Sequence, residues 1–213
     1  ISVFGHVTSL TAFALSGESA FLSVDGCVLF DKAKTKLIRY PTGKAGSYTV
    51  PPSVKVLGED SFYHSNNLTS IILPDGLTTV EDVALHNCRN LQTVYIPSSL
   101  TSIGSHFLGA SEVEDVKIPE GVTELGYQFL DNCWELKTLE LPASLTTPGD
   151  LCNGCTALQS VTCKAATPPV LESGAFKDVV LAGVTLKVPA ASVSAYENAP
   201  IWKNFKKPFL TLP

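Results

Sequence analysis

Residues 118–142 read IPEGVTELGYQFLDNCWELKTLELP, opening and closing on an apolar residue followed by proline. Between the two prolines lie an apolar pair, Val122/Leu125, and then a triplet, Leu136-x-x-Leu139-x-Leu141. The last two members of the triplet alternate with polar residues, which is the period of a strand with one buried face. Proline then ends the strand, because it has no N–H to donate to a ladder.

The same phrase recurs on both sides, as LPDGLTTV from 73, IPSSLTSI from 96 and LPASLTTP from 141. The prolines fall at 51, 74, 97, 119 and 142, at spacings of 23, 23, 22 and 23. Triplets Leu68/Ile71/Leu73, Leu91/Val94/Ile96, Val113/Val116/Ile118 and Leu158/Val161/Cys163 keep step with them. A period between 20 and 29 residues marks a leucine-rich-repeat solenoid, whose coils cannot bury their apolar sides alone and must stack. Phe62, Leu85, Leu108 and Leu130 sit at one offset from their prolines, inside compact stretches such as GEDSFYHSNN and EDVALHNCRN. These stretches are predicted to be helical turns or short helices returning the chain to the next strand.

The ends depart from the pattern. Residues 27–30 and 37–40 read as a hairpin feeding Tyr48-Thr49-Val50-Pro51. Leu186-Lys187-Val188-Pro189 and Leu210-Thr211-Leu212-Pro213 repeat the strand-plus-proline phrase, with room for one short helix between Pro189 and Pro200. A solenoid has open apolar ends, so Trp202, Phe205 and Phe209 are expected to close one of them. In the fifth repeat Pro148 stands where an apolar residue is expected, which puts a local helix there in doubt. The expected organisation is one solenoid over 1–213: irregular and hairpin repeats over 1–50, regular repeats over 51–163, and capping repeats over 164–213.

These residues resemble the BspA-like branch of leucine-rich repeats, over about 21 to 213, and 118–142 follows that branch's pattern nearly throughout. The resemblance implies a β-rich α/β fold, a right-handed solenoid of 22–23-residue coils with short strands and short helical turns. It also implies a bacterial secreted or cell-surface protein, often one module of something larger. Some members are adhesins for host matrix proteins or other bacteria, and the family carries no catalytic motif. Gly76, Ser99, Gly121 and Ser144 replace the asparagine of the general leucine-rich consensus, so no asparagine ladder is expected.

The bulk numbers fit a globular protein with a sizeable core: 213 residues, 45% hydrophobic and 16% charged. No apolar run approaches the ~18 residues of a bilayer span, so no transmembrane segment is expected in this chain. There is no methionine even at position 1, and ISVFGHVTSL lacks a basic region followed by an apolar one. The chain therefore reads as a processed or trimmed piece without a visible signal sequence. A net charge of −5 argues against a nucleic-acid partner. Between Gly58 and Glu140, 13 acidic residues face only Arg89, Lys117 and Lys137, a net of −10. That balance reads first as a solvated surface and second as an attraction for a basic partner.

Cys88 and Cys133 are assigned to a small buried position held by Ser65 and Ala110 in other coils. Two coils separate them, ~9–10 Å, beyond the ~7 Å Cα limit for a disulfide, whereas Cys133 and Cys155 at ~5 Å could bridge. Burial as small hydrophobes is the favoured reading. Cys152-x-x-Cys155 with Cys163 lacks a fourth zinc ligand, so no metal and no cofactor are expected. His6, His64, His86 and His106 share no repeat offset and are expected in surface or loop roles. The tripeptide Asn67-Leu68-Thr69 matches a glycosylation acceptor, but Leu68 is a core position. No hydrolase, zinc-protease or nucleotide-binding motif is present, so the chain is read as non-enzymatic.

What remains is the outward strand face. Alternation sets Ile72, Tyr95, Lys117, Glu140 and Thr162 in one column and Ser70, Thr93, Asp115, Thr138 and Ser160 in the next. Ile72, Tyr95, Lys117 and Glu140 are the candidate strip for a protein or glycan ligand. Trp134, where other coils carry Asn66 and Arg89, is a candidate anchor because aromatics dominate interface energy. The competing reading is a structural spacer or stalk with no ligand of its own.

Overall fold

The computed structural model describes residues 7–212, so His6 and Pro213 lie outside the described residues. Three strands come before the first regular coil: β1 (Leu22–Asp25), β2 (Val28–Asp31) and β3 (Lys36–Arg39). The regular coils supply β4 (Gly46–Thr49), β5 (Val56–Leu57), β6 (Leu68–Ile72), β7 (Thr79–Val80), β8 (Thr93–Tyr95) and β9 (Ser102–Ile103). Next come β10 (Asp115–Lys117), β11 (Thr138–Leu141), β12 (Ser160–Cys163) and β13 (Thr185–Pro189). Helix α1 (Val193–Asn198), which fills the space expected of it, leads to β14 (Lys206–Leu212).

These elements wind into a β-solenoid of about 8 turns. Each coil has three sides. The strands before the prolines stack in parallel on the first side, as β4-β6-β8 and β10-β11-β12-β13-β14. The two-residue strands after the prolines stack on the second side as β5-β7-β9, continued by bridges Ile103↔Leu125 and Glu124↔Thr147. The antiparallel β1-β2-β3 sheet heads this second side, because β3 pairs in parallel with β5. The expected hairpin is therefore present with a further strand added. One core runs the length of the stack, from Val28 to Phe209.

The third side differs from its expectation. The stretches read as helical turns contain no helix; they are successive tight turns. Four successive coils each place two residues at positive φ four apart: Asp60 and His64, Val83 and Asn87, His106 and Ala110, Gln128 and Asn132. Asn, Asp and His tolerate that conformation better than most residues, and five of these eight are Asn, Asp or His, with Val83 alone β-branched. The left-handed residues turn alternate N–H groups along the stack axis. Asp60, Phe62 and His64 donate to the carbonyls of Asp82, Ala84 and His86 at 2.8–3.3 Å, and later coils repeat the scheme. The turn side is thus a third hydrogen-bonded ladder, which a helix, with its bonds internal, would not provide.

The interior column of small residues is Ser65, Cys88, Ser111, Cys133 and Cys155; Ser111, rather than Ala110, holds the third place. The Sγ atoms of Cys88, Cys133 and Cys155 donate to the carbonyls of Phe62, Leu108 and Leu130 at 3.1–3.2 Å. All six cysteines are free, and only Cys27 is exposed. Burial pushes the Cys88 thiol up to about 12 and the Cys133 thiol well above its ordinary value, so both serve as neutral donors. Pro148 is buried and fills its apolar slot just past the short bridge of the second side, where no N–H is required.

Candidate functional site

The first side carries the expected strip. Ile72 lies beside Tyr95 in register, and Lys117 lies beside Glu140, which lies beside Thr162. The neighbouring column is aligned in the same way, with Ser70 beside Thr93 and Asp115 beside Thr138 beside Ser160. Ile72 and Tyr95 are 50% and 53% exposed, a large apolar surface held on a fixed backbone. They border an open depression of about 750 Å³ whose other walls include Thr49, Pro52, Pro74 and Thr93. Tyr95 also borders a second depression, of about 560 Å³, reaching to Lys117 and Glu140.

The strip is not continuous. No strand pairing joins β8 to β10 among the described residues, so Tyr95 and Lys117 face each other across a gap in the ladder. Nor are the two charges free. Lys117 Nζ lies 3.2 Å from Glu140 Oε1, which also takes Lys164 Nζ at 2.6 Å, and Lys164 reaches Glu120 at 3.6 Å. Partial burial alone would raise the Glu140 carboxyl; Lys164 and then Lys117 outweigh it and hold the carboxyl below its ordinary range. Lys117 and Glu140 therefore present a largely neutralised pair, and the apolar end of the strip is the stronger feature. Trp134 is 45% exposed at the corner between the turn side and the strand side, outside the strand columns that carry the strip.

Sequence spacing missed one group. Half-buried on the turn side, Tyr63 stacks on His86 with centroids 5.9 Å apart, His86 meets His106 edge-on at 5.3 Å, and His106 meets Tyr127 at 6.0 Å. His64 packs on Tyr63 at 4.2 Å. The histidines come from different offsets, and the left-handed turns bring them into one column. Burial, followed by repulsion from His106 and His64, pushes the His86 imidazole down to about 4. The unfolded chain binds that proton near pH 6.5 and the folded chain does not, so stability falls as pH drops from 6.5 towards 4. Asp131, raised by burial, works in the opposite sense. With part of the ring facing solvent, the expected net loss between pH 7 and pH 5 is about 1 kcal/mol. Urea titrations at the two pH values measure it, and His86→Asn is expected to flatten the difference.

Among the described residues no three His, Cys, Asp or Glu side chains gather as a metal site requires. No helix among them is long and apolar enough to cross a membrane. The geometry offers a shallow, rigid contact surface with an apolar centre.

Comparison with known proteins agrees with the coil geometry. The BspA type leucine rich repeat region matches in six copies, over residues 40–153 and 94–199. No curated protein sequence matches the chain. Among solved structures, the pneumococcal vaccine antigen PcpA superposes with a TM-score of 0.77 at 23% identity, covering 96% of this chain and 50% of its own. A leucine rich cell surface protein of Faecalibacterium prausnitzii gives 0.60 at 23% identity, over 68% of this chain and 40% of its own. A leucine-rich repeat protein of Eubacterium ventriosum gives 0.56 at 26% identity, over 87% and 44%. The chain spans half or less of the length of each of these.

Proposed function

The chain belongs to the BspA-type leucine-rich-repeat family, and from that premise we propose that it is a non-enzymatic binding module of a bacterial secreted or cell-surface protein. Its ligand is a protein or glycan of the host matrix or of another cell, held by the strand side of the solenoid. One observation carries this reading: Ile72 and Tyr95 stand half exposed and side by side on a hydrogen-bonded ladder. Such pre-ordered apolar and aromatic groups lose little entropy on binding and supply most of the energy of a contact. Of the carboxylates nearby, Glu140 and Glu120 are ion-paired and Asp115 accepts from the Thr138 hydroxyl, an arrangement that favours binding over catalysis. The description of the Faecalibacterium structure as a cell surface protein supports the location.

Immobilised matrix proteins and mucin glycans provide the test. The chain is expected to bind at least one of them, and the double variant Ile72→Ser/Tyr95→Ala to lose at least about tenfold in affinity. Lys117→Ala is expected to change it less, because that ammonium is already engaged. Trp134→Ala reports separately on the corner. Binding that survives the double variant would move the site to another side, and absence of any binding would favour the spacer reading.

A further inference from the structure

The gap in the strand ladder has a sequence cause. In four coils three positions separate the small interior residue from the apolar residue that opens the strand: Ser65 to Leu68, Cys88 to Leu91, Cys133 to Leu136 and Cys155 to Leu158. In each, the N–H of the second bonds to the carbonyl of the first, at 2.9–3.2 Å. From Ser111 to Val113 there are only two positions, and this is the 22-residue coil between Pro97 and Pro119. Its corner turn is missing, and β8 and β10 do not pair. The other two sides stay joined there, through Ile103↔Leu125 and through His106 and Leu108 donating to Tyr127 and Phe129. The fifth repeat is also shortened, between Pro142 and Cys155, but that loss falls on the turn side and β11 still pairs with β12. The position of the missing residue, rather than coil length alone, opens the ladder.

Two strand edges therefore face one cleft in the middle of the solenoid. Such an edge is a template for another strand. The floor includes the part-buried Val94 and Ile96, and the walls include Tyr95, Asp115, Lys117 and Glu120. The cleft continues past Thr93 and Glu114. One long side-chain hydrogen bond spans it among the described residues, from Gln92 Nε2 to Glu112 Oε2 at 3.4 Å. Charge on the rim is one-sided. Glu112, half-buried, and Asp115, exposed, lie on it, whereas Lys117, Lys137 and Lys164 are turned to Glu140, Glu114 and Glu120.

We infer that this cleft takes an extended peptide segment with alternating apolar and basic side chains, pairing its backbone with β8 or β10 by strand addition. The inference rests on the strand-side reading above and names a partner class for it. Apolar side chains of the segment enter over Val94 and Ile96 while basic ones meet Glu112 and Asp115. Main-chain bonds give affinity in this mode, and alternate side chains give selectivity.

The probe is a fluorescent eight-residue peptide alternating valine and lysine. The chain is expected to bind it, with amides 93–96 and 114–117 slowed in hydrogen exchange. The same peptide N-methylated at every second amide, and a valine–glutamate counterpart, are each expected to bind at least about tenfold more weakly. Inserting one asparagine between Glu112 and Val113 restores the corner turn, and is expected to close the ladder and cut peptide binding at least about tenfold. Should that variant fail to fold, Glu112→Gln/Asp115→Asn in the intact chain is expected to weaken the lysine peptide selectively. Equal binding of the methylated peptide, protection elsewhere, or no binding at all overturns the inference. Matrix or mucin binding that is lost in Ile72→Ser/Tyr95→Ala while the peptide never binds would sink this inference and spare the function proposed above.

Discussion

Arg39→Met is expected to cost about 1–3 kcal/mol of stability, because the Tyr63 carbonyl loses its donor and the Asp60 carbonyl keeps only the N–H of Tyr63. Arg39 is fully buried, and no carboxylate lies within salt-bridge distance of it among the described residues. Its Nη1 donates to the carbonyl of Asp60 and its Nη2 to that of Tyr63 at 3.1 Å, while Tyr40 N–H serves Ser61 at 2.7 Å. These bonds stand at the N-terminal end of the turn-side ladder. Every later coil receives N–H donors from the coil before it, but the left-handed residues of the hairpin, Gly26, Cys27 and Lys34, lie in its strand turns, and Tyr40 is the backbone donor it offers here. A guanidinium, with donors in a fixed fork, supplies the others. Burial lowers the Arg39 pKa, and the Asp60 carboxylate opposes that shift, so the charge is kept. Methionine matches the stem but donates nothing, and Arg39→Lys, a point charge, is expected to recover only part of the loss. Urea unfolding measures both. A methionine variant as stable as the parent would show that the hairpin closes this end without the guanidinium.

How the sequence reads this molecule depends on which side of the coil is considered. The strand sides were legible because proline and alternation are local signals: Leu139 and Leu141 point inward wherever the chain goes next. The turn side was not, since Phe62, Leu85, Leu108 and Leu130 at equal offsets suit a helical turn and a left-handed turn alike. What separates the two is where the N–H groups point, and that is settled by the adjacent coil. The same lack hid the histidine column and shifted the third interior position from Ser111 to Ala110. Within the candidate site, Ile72 beside Tyr95 follows from the period alone. The pairing of Lys117 with Glu140 depends on rotamers, and Lys164 joins them from outside the counted columns. The spacing of 22 was visible from the start, but its effect depends on which side of the coil absorbs the missing residue.

At the other end, Trp202→Ala is expected to cost about 3–5 kcal/mol, in the range for truncating a fully buried aromatic residue. Trp202 is 0% exposed and its Nε1 donates to the carbonyl of Pro169 at 2.8 Å. Phe205 stacks on it at 5.7 Å, and Tyr196 and Phe176 meet it edge-on at 5.3 and 6.2 Å. Tyr196 in turn donates to the carbonyl of Ala165 at 2.8 Å, so the cluster ties α1 and β14 to the last regular coils. Trp202→Phe keeps most of the ring packing and leaves Pro169 without its donor, an expected loss of about 1–3 kcal/mol. In a solenoid, stability is a sum of neighbour contacts, so the damage should be uneven. Hydrogen exchange in Trp202→Ala is expected to rise first in β12, β13 and β14, with the amides of β5, β7 and β9 still protected. Uniform loss of protection along the chain would instead make the stack one cooperative unit in which the aromatic cluster stabilises every coil.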